Sequence, residues 1–178
     1  MRETIYRGKR VDNGEWVNGK NIICFKNSKT GEERFHIMPS GSQISASEDV
    51  DGNVFALLAP ILHVTTSTIG QSTGMTDMNG NEIFEGDIVK LFDAAVGEIV
   101  QECGAFGIGC RQLIDFDYLA SEIAPVTGHN NTPLFCYNDN FVSLWELYWN
   151  YNEENDEISV IEVIGNIHDN PELLEVTE

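Results

Sequence analysis

Between Ile69 and Leu91 the chain reads IGQSTGMTDMNGNEIFEGDIVKL, and no other stretch constrains the fold as tightly. Asn79-Gly80 is the strongest short-range hairpin signal, because both central residues of a type I′ turn need φ > 0. Gly70 and Gly74 precede it, and Gly86-Asp87 leads into the apolar Ile88-Val89-Lys90-Leu91. Gly86 admits a bulge or a positive φ, and Asp87 can accept hydrogen bonds from nearby main-chain N–H groups. Asn79, Gly80, Gly86 and Asp87 are therefore read as structural turn residues. Asp77-x-Asn79-x-Asn81 with Glu82 and Glu85 also resembles the start of a calcium loop. Such a loop places glycine sixth and a bidentate glutamate twelfth. Counting from Asp77, Glu82 and Ile88 stand there instead. The stretch fixes a backbone path and names no chemistry.

The remainder reads as short strands at turn-marked intervals. Asp12-Asn13-Gly14 is a turn, Glu15-Trp16-Val17 a strand ended by Asn18-Gly19, and Lys20 to Phe25 another strand. Arg34 to Met38 follows, stopped by Pro39. Ser40 to Asn53 is read as a loop, and Val54 to Leu58 and Ile61 to Val64 as strands around Pro60, with Thr65 to Thr68 extending the second. Strands are expected again at Asp87 to Asp93, Val96 to Cys103 and Ala105 to Cys110. Residues 112 to 125 fit neither period well and read as irregular. Asn138 to Asn140 is expected to turn, and Ile158 to Ile164 to alternate. Asn170-Pro171-Glu172 reads as a capped helix start. The fold class is thus mainly β: a small barrel or sandwich of about ten to twelve short strands with a short C-terminal helix. One domain is expected over residues 1–178, divisible into an N-terminal β-meander (1–65) and a barrel-like part (66–178).

Phe141 to Tyr151 is the most aromatic part of the chain and is read as a strand. Trp145, Leu147 and Trp149 would share one face, and Leu144, Glu146 and Tyr148 the other. Aromatic side chains on both faces cannot all enter one small core. Trp145, Tyr148, Trp149 and Tyr151 are therefore candidate interface residues, and a homo-oligomer is expected.

Charge narrows the function classes. The formal net charge is −19, and residues 112–178 carry fourteen acidic side chains with no Lys or Arg. Phosphate-gripping proteins need clustered cations, so direct nucleic-acid binding is disfavoured despite the small basic end at Arg2, Arg7, Lys9 and Arg10. Cys24, Cys103, Cys110 and Cys136 form no C-x-x-C pair and read as buried free thiols. His36, His63, His129 and His168 are scattered, with no partner at i+2 to i+4. No G-x-S-x-G, Walker loop, G-x-G-x-x-G or H-E-x-x-H occurs. We therefore expect no catalytic residues, no cofactor, no metal and no enzyme activity. No apolar run is long enough for a membrane helix and MRETIYRGKR has no apolar signal region, so no membrane contact and a cytoplasmic location are expected.

Three stretches, IYRGKRVDNGEWVNG, IGQSTGMTDMNGNEIFEGDIVKL and VIGNIHDNPELL, lie in order across nearly the whole chain and together resemble the YopX protein family. The most specific part is G-x-x-D-x-N-G-x-x-I-x-E-G-D-I-V, present as Gly74 to Val89. The resemblance implies a mostly β fold that is in part SH3-like, phage or prophage origin in a bacterial host cell, and self-association. It implies no reaction. With the acidic composition, the expected role is an accessory module that binds an unidentified protein. The alternatives are an acidic DNA mimic inhibiting a nucleic-acid enzyme, or nucleic-acid binding through the SH3-like part and the basic N-terminus.

Overall fold

The computed structural model describes residues 3–42, 45–52, 54–57, 60–91, 95–102, 104–110, 141–151, 157–158 and 160–175. Among the described residues, fourteen strands and one α-helix make it mainly β. The chain divides into two compact units, Met1–Gln71 and Ser72–Glu178.

In the first unit, β1 (Tyr6–Lys9), β2 (Trp16–Lys26), β3 (Glu33–Pro39) and β6 (Leu62–Val64) pair antiparallel in that order. Gly70 and Gln71, which open β7 (Gly70–Asp77), pair on the other side of β1. The expected turn at Asn18-Gly19 is not a turn. Those residues lie within the 11-residue β2, whose register shifts between Gly19 and Asn21. A Cβ on Gly19 would overlap the Met38 carbonyl and stand 2.6 Å from Ile37 Cγ2. The glycine marks a bulge and a close backbone approach, the other meaning of glycine in a strand.

The free edge of β6 returns to the end of β1. Arg10 and Val64 form a bridge, flanked by Thr65 N–H to the Lys9 carbonyl at 2.8 Å and Val11 N–H to the His63 carbonyl at 2.9 Å. The sheet curls around Ile37, Met38 and Val64 without becoming a closed barrel. Thr66–Thr68, expected as strand, is a 3₁₀ turn. The Thr68 hydroxyl donates to the Thr65 carbonyl at 2.7 Å and accepts the Lys9 N–H at 2.8 Å. The expected loop at Ser40 to Asn53 contains a strand, since β4 (Ser45–Glu48) pairs with β5 (Val54–Leu57).

In the second unit, β7 and β8 (Glu82–Phe84) form the expected hairpin, followed by β9 (Asp87–Leu91), β10 (Ala95–Glu102), β11 (Ala105–Cys110) and β12 (Phe141–Ser143). A five-stranded antiparallel sheet runs β12-β11-β10-β9-β14, with β14 spanning Ile161–Asn166. A short strand, β13 (Glu157–Ile158), pairs parallel with Thr76 and Asp77. The core consists of Ile83, Val89, Leu91, Ile99, Ile108, Val142, Leu144, Leu147 and Ile161, each with no exposed surface. Interior strand β9 has both faces covered: Asp87, Ile88, Val89 and Leu91 are buried and Lys90 is half-buried.

Phe141 to Tyr151 is not one strand. After β12 the chain turns into helix α1 (Leu144–Tyr151). Leu144 and Leu147 are buried and Tyr148 packs beside them, a three-to-four spacing that belongs to a helix. The C-terminal helix is a 3₁₀ turn, Pro171–Leu174, and the Asn170 side chain makes no cap bond. The turn before it is organised by Asn166, whose Oδ1 accepts the N–H groups of His168 and Asp169, each at 3.0 Å. The readings of 112–125, Asn138–Asn140, Cys103, Cys136 and His129 lie outside the described residues.

Gly107 stands where a Cβ would run into the Phe141 ring and lie 2.6 Å from the Val142 carbonyl. Replacing it by alanine overpacks the sheet and is expected to lower stability by about 1–3 kcal/mol. Urea unfolding of Gly107→Ala against the parent checks this, and adding Phe141→Leu should recover part of the loss.

Candidate functional site

The signature stretch resolves into two turns built on carboxylates. At the hairpin tip, Gly80 N–H donates to the Asp77 carbonyl at 2.9 Å and Asp77 N–H to the Asn81 carbonyl at 2.8 Å. The turn is therefore centred on Met78-Asn79, with Gly80 at φ 78° closing it. This is a three-residue loop with a glycine bulge, not the two-residue type I′ turn that Asn79-Gly80 suggests. Before it, β7 bulges at Gly74, whose φ is 74°. The strand's own hydroxyls hold that bulge: Ser72 Oγ accepts the Gly74 N–H at 3.0 Å, and Thr73 Oγ1 donates to the Ile83 carbonyl at 3.0 Å.

Asp77 is buried and its carboxylate is surrounded by donors. Oδ1 accepts the N–H groups of Asn79 at 2.9 Å and Asn81 at 2.8 Å. Oδ2 accepts the Asn81 side-chain amide at 3.1 Å and, from 86 residues away, the Val163 N–H of β14 at 2.9 Å. Burial raises its pKa. Donation from the Val163 N–H, the Asn81 side chain and the Asn81 and Asn79 N–H groups outweighs burial and holds it below the ordinary 3.8. The second carboxylate, Asp87, is also buried and accepts the Phe84 N–H at 2.8 Å. Gly86, at φ 81°, donates its N–H to Ile99 at 2.9 Å and accepts that of Ile167 at 3.0 Å. Asn79, Gly80, Gly86 and Asp87 thus occupy turns, and Asp77 is the residue the sequence reading underrated. Donor spacing this close leaves the Asp77 oxygens engaged with backbone rather than turned out towards an ion.

The aromatic candidates lie on α1. Trp145 is 53% exposed and stacks on half-buried Tyr148, ring centroids 5.9 Å apart and planes at 16°. Nothing of the Trp149 and Tyr151 side chains falls within the described residues.

The first unit brings together groups that are far apart in sequence. His36 and His63 are direct partners across β3 and β6, their rings stacked at 5.0 Å and 23°. Phe25 meets His36 edge-on at 5.0 Å. Arg7 and Lys9 lie over the Trp16 ring at 4.7 and 5.6 Å. Several of the other cations are matched by acids: Arg10 with Asp12 and Glu15, Lys20 with Glu3, Lys26 with Glu33, and Arg34 with Glu32. An open depression of about 330 Å³ beside the β2 bulge has Lys20 and Asn21 opposite Met38, Pro39 and Ser40, with no carboxylate, thiol or imidazole in its lining. Among the described residues no three His, Cys, Asp or Glu side chains converge as a metal site. Cys24 is exposed rather than buried, whereas Cys110 is buried and its pKa is pushed up to about 11 by desolvation.

Charge divides sharply between the units. Residues 1–71 hold eight basic and eight acidic side chains, and residues 72–178 hold two basic and twenty-one acidic. The whole −19 therefore belongs to the second unit. Among the described residues no helix is long and apolar enough to cross a membrane.

A family model described as YopX protein matches residues 5–175. The chain is 22% identical to protein EF1440 from Enterococcus faecalis, known from a crystal structure, over 97% of this chain and 98% of that one, with a TM-score of 0.46. No curated protein matches it.

Removing the Asp77 carboxylate leaves several donors without their acceptor, so Asp77→Ala should lose about 3 kcal/mol, against about 1–2 for Asp87→Ala. Denaturant unfolding of both variants measures the difference. The depressed pKa of Asp77 also fixes a sign. The unfolded chain takes up this proton at higher pH than the folded chain does. The stability contributed is full above the ordinary value and is lost as pH falls through the lower, folded one. Unfolding midpoints followed from pH 6 to 2 should drop below about pH 4, and less steeply in Asp77→Asn.

Proposed function

The chain belongs to the YopX protein family, and on that footing we propose that it is a phage- or prophage-derived accessory protein of the host cytoplasm that binds another protein and catalyses no reaction. The observation that carries this reading is the coincidence, in one unit, of the entire net negative charge with an exposed tryptophan. Trp145 stands on a helix whose other side is anchored by Leu144 and Leu147 in the core. It is thus a large aromatic on a packed helix, and tryptophan is enriched among hot spots at protein interfaces. The unit's excess of carboxylates supplies long-range attraction for a basic partner and accelerates encounter more than it strengthens the final contact.

A partner of this kind presents a cationic surface with an apolar recess for the indole. A nucleic-acid enzyme has such a surface, which makes the acidic DNA mimic a narrower form of the same reading. Direct nucleic-acid binding through an SH3-like part together with the basic end of the first unit is less well supported. That unit is electrically neutral in sum, and Arg10, Lys20, Lys26 and Arg34 are matched by neighbouring acids. Self-association fits the same indole, with a second copy in place of a foreign partner.

The test is affinity capture from lysogenic or infected cells, comparing the parent with Trp145→Ala. The substitution is expected to weaken capture of the specific partner by about 2 kcal/mol or more, and to alter folding stability by no more than about 0.5 kcal/mol at an exposed site. Raising salt should slow association. Capture indifferent to both the indole and the salt would sink the reading, and light scattering separates a second copy from a foreign partner.

A further inference from the structure

His36 and His63 are 27 positions apart in sequence yet face each other directly across β3 and β6. Side chains so placed start from Cβ atoms about 4.5–5.5 Å apart. That span allows two imidazoles to reach one ion at metal–nitrogen distances of about 2.0–2.1 Å. The rings are stacked, 5.0 Å apart with 23° between their planes, so both must rotate about their side-chain torsions out of the stack for their in-plane lone pairs to converge on one ion. Both side chains are half-buried, so neither is locked in the core. Phe25, edge-on at 5.0 Å and 88°, restricts His36 on one side.

A further detail concerns the tautomer. His36 Nδ1 lies 3.3 Å from the Arg34 carbonyl oxygen. A carbonyl can only accept, so this contact is a hydrogen bond in the tautomer with its proton on Nδ1, and in that neutral tautomer the lone pair is on Nε2. Donation from the second ring nitrogen to a backbone carbonyl is the usual outer support of a metal-bound histidine.

We propose that His36 and His63 form a two-imidazole chelate for a divalent transition-metal cation of the zinc class on the outer face of the first unit. Imidazole suits such borderline ions, and water completes the coordination of a site with two protein ligands. The ion joins β3 to β6 where the ladder is short, since these strands pair over three residues, Phe35–Val64, His36–His63 and Ile37–Leu62. Binding therefore stabilises the folded unit, increasingly as the free ion exceeds the dissociation constant. Protons compete with the metal for both imidazoles.

The experiment uses the full chain, reduced, with zinc chloride alone as the probe. Isothermal titration at pH 7.5 and thermal melts compare the parent with His36→Ala, His63→Ala, His36→Phe, Cys24→Ser and His168→Ala. His36→Phe keeps the aromatic ladder and controls for loss of packing. The parent is expected to show one saturable zinc site and a zinc-dependent rise in melting temperature. All three substitutions in the pair should weaken that site at least about tenfold and remove the rise. Cys24→Ser and His168→Ala should bind as the parent does, and the site should fade at pH 5.5. Absence of a saturable site in the parent would overturn the proposal. So would full binding by the histidine variants, or loss of binding only in Cys24→Ser.

Discussion

One carboxylate holds the second unit to its own signature. Asp77 receives main-chain donors from the hairpin it closes and from β14, more than eighty residues later. Without it, the tip of the β7–β8 hairpin would present unmatched N–H groups, and β14, the outermost strand of its sheet, would have an uncovered Val163 N–H. Sheet edges are otherwise open to pairing with foreign strands. Here the hairpin covers the edge, since Met78 N–H also donates to the Ile161 carbonyl at 2.9 Å. A buried carboxylate ordinarily resists ionisation. This one is held in the charged form because donors surround it, so a desolvation penalty becomes a device for fixing register.

The remainder of the motif can be read the same way. Gly74 and Gly86 adopt left-handed φ at the bulge and the second turn, Gly80 does so at the hairpin tip, and Ile83, Ile88 and Val89 fill the core. Asp87 closes the second turn on Phe84. In the third signature stretch, a Cβ on Gly165 would sit 2.7 Å from Asn170 Oδ1 and 3.0 Å from Leu173. The family pattern is therefore a pattern of backbone requirements. It specifies a fold and leaves the exposed chemistry free to differ.

This explains how far the sequence could be read. Turns and short strands are local, and glycine and asparagine state them openly, so the β class and the hairpin were legible. What failed was non-local or ambiguous. Gly19 looked like a turn because a close-packing glycine and a turn glycine are the same letter, and only Met38 across the ladder tells them apart. The helix at Leu144 was missed because a few residues fit period 2 and period 3.6 alike. Ser143-x-x-Glu146 has capping-box spacing and could have decided it. The pairing of His36 with His63 had no local signal, because ladder register sets it.

The acidity of the second unit remains to be placed, and burial decides what it is not for. Of its described carboxylates, Asp77 and Asp87 are buried and answer main-chain donors, whereas Glu82, Glu85, Glu98, Glu102, Glu146, Glu162, Asp169, Glu172 and Glu175 keep access to solvent. Asp77 and Asp87 close turns, Glu82 accepts the Ser72 hydroxyl and Asp169 the Asn166 amide, yet twenty-one acids against two bases still add repulsion that a compact state must tolerate. Repulsion on this scale is cheapest to keep where a partner relieves it. The first unit cannot supply that relief in bulk, because its own basic and acidic side chains are equal in number. The relief must come from solvent ions or from a cationic surface outside the chain. Among the described residues of the acidic unit, Trp145 is the most exposed large apolar side chain, and it is the group that could make such a surface specific rather than merely attractive.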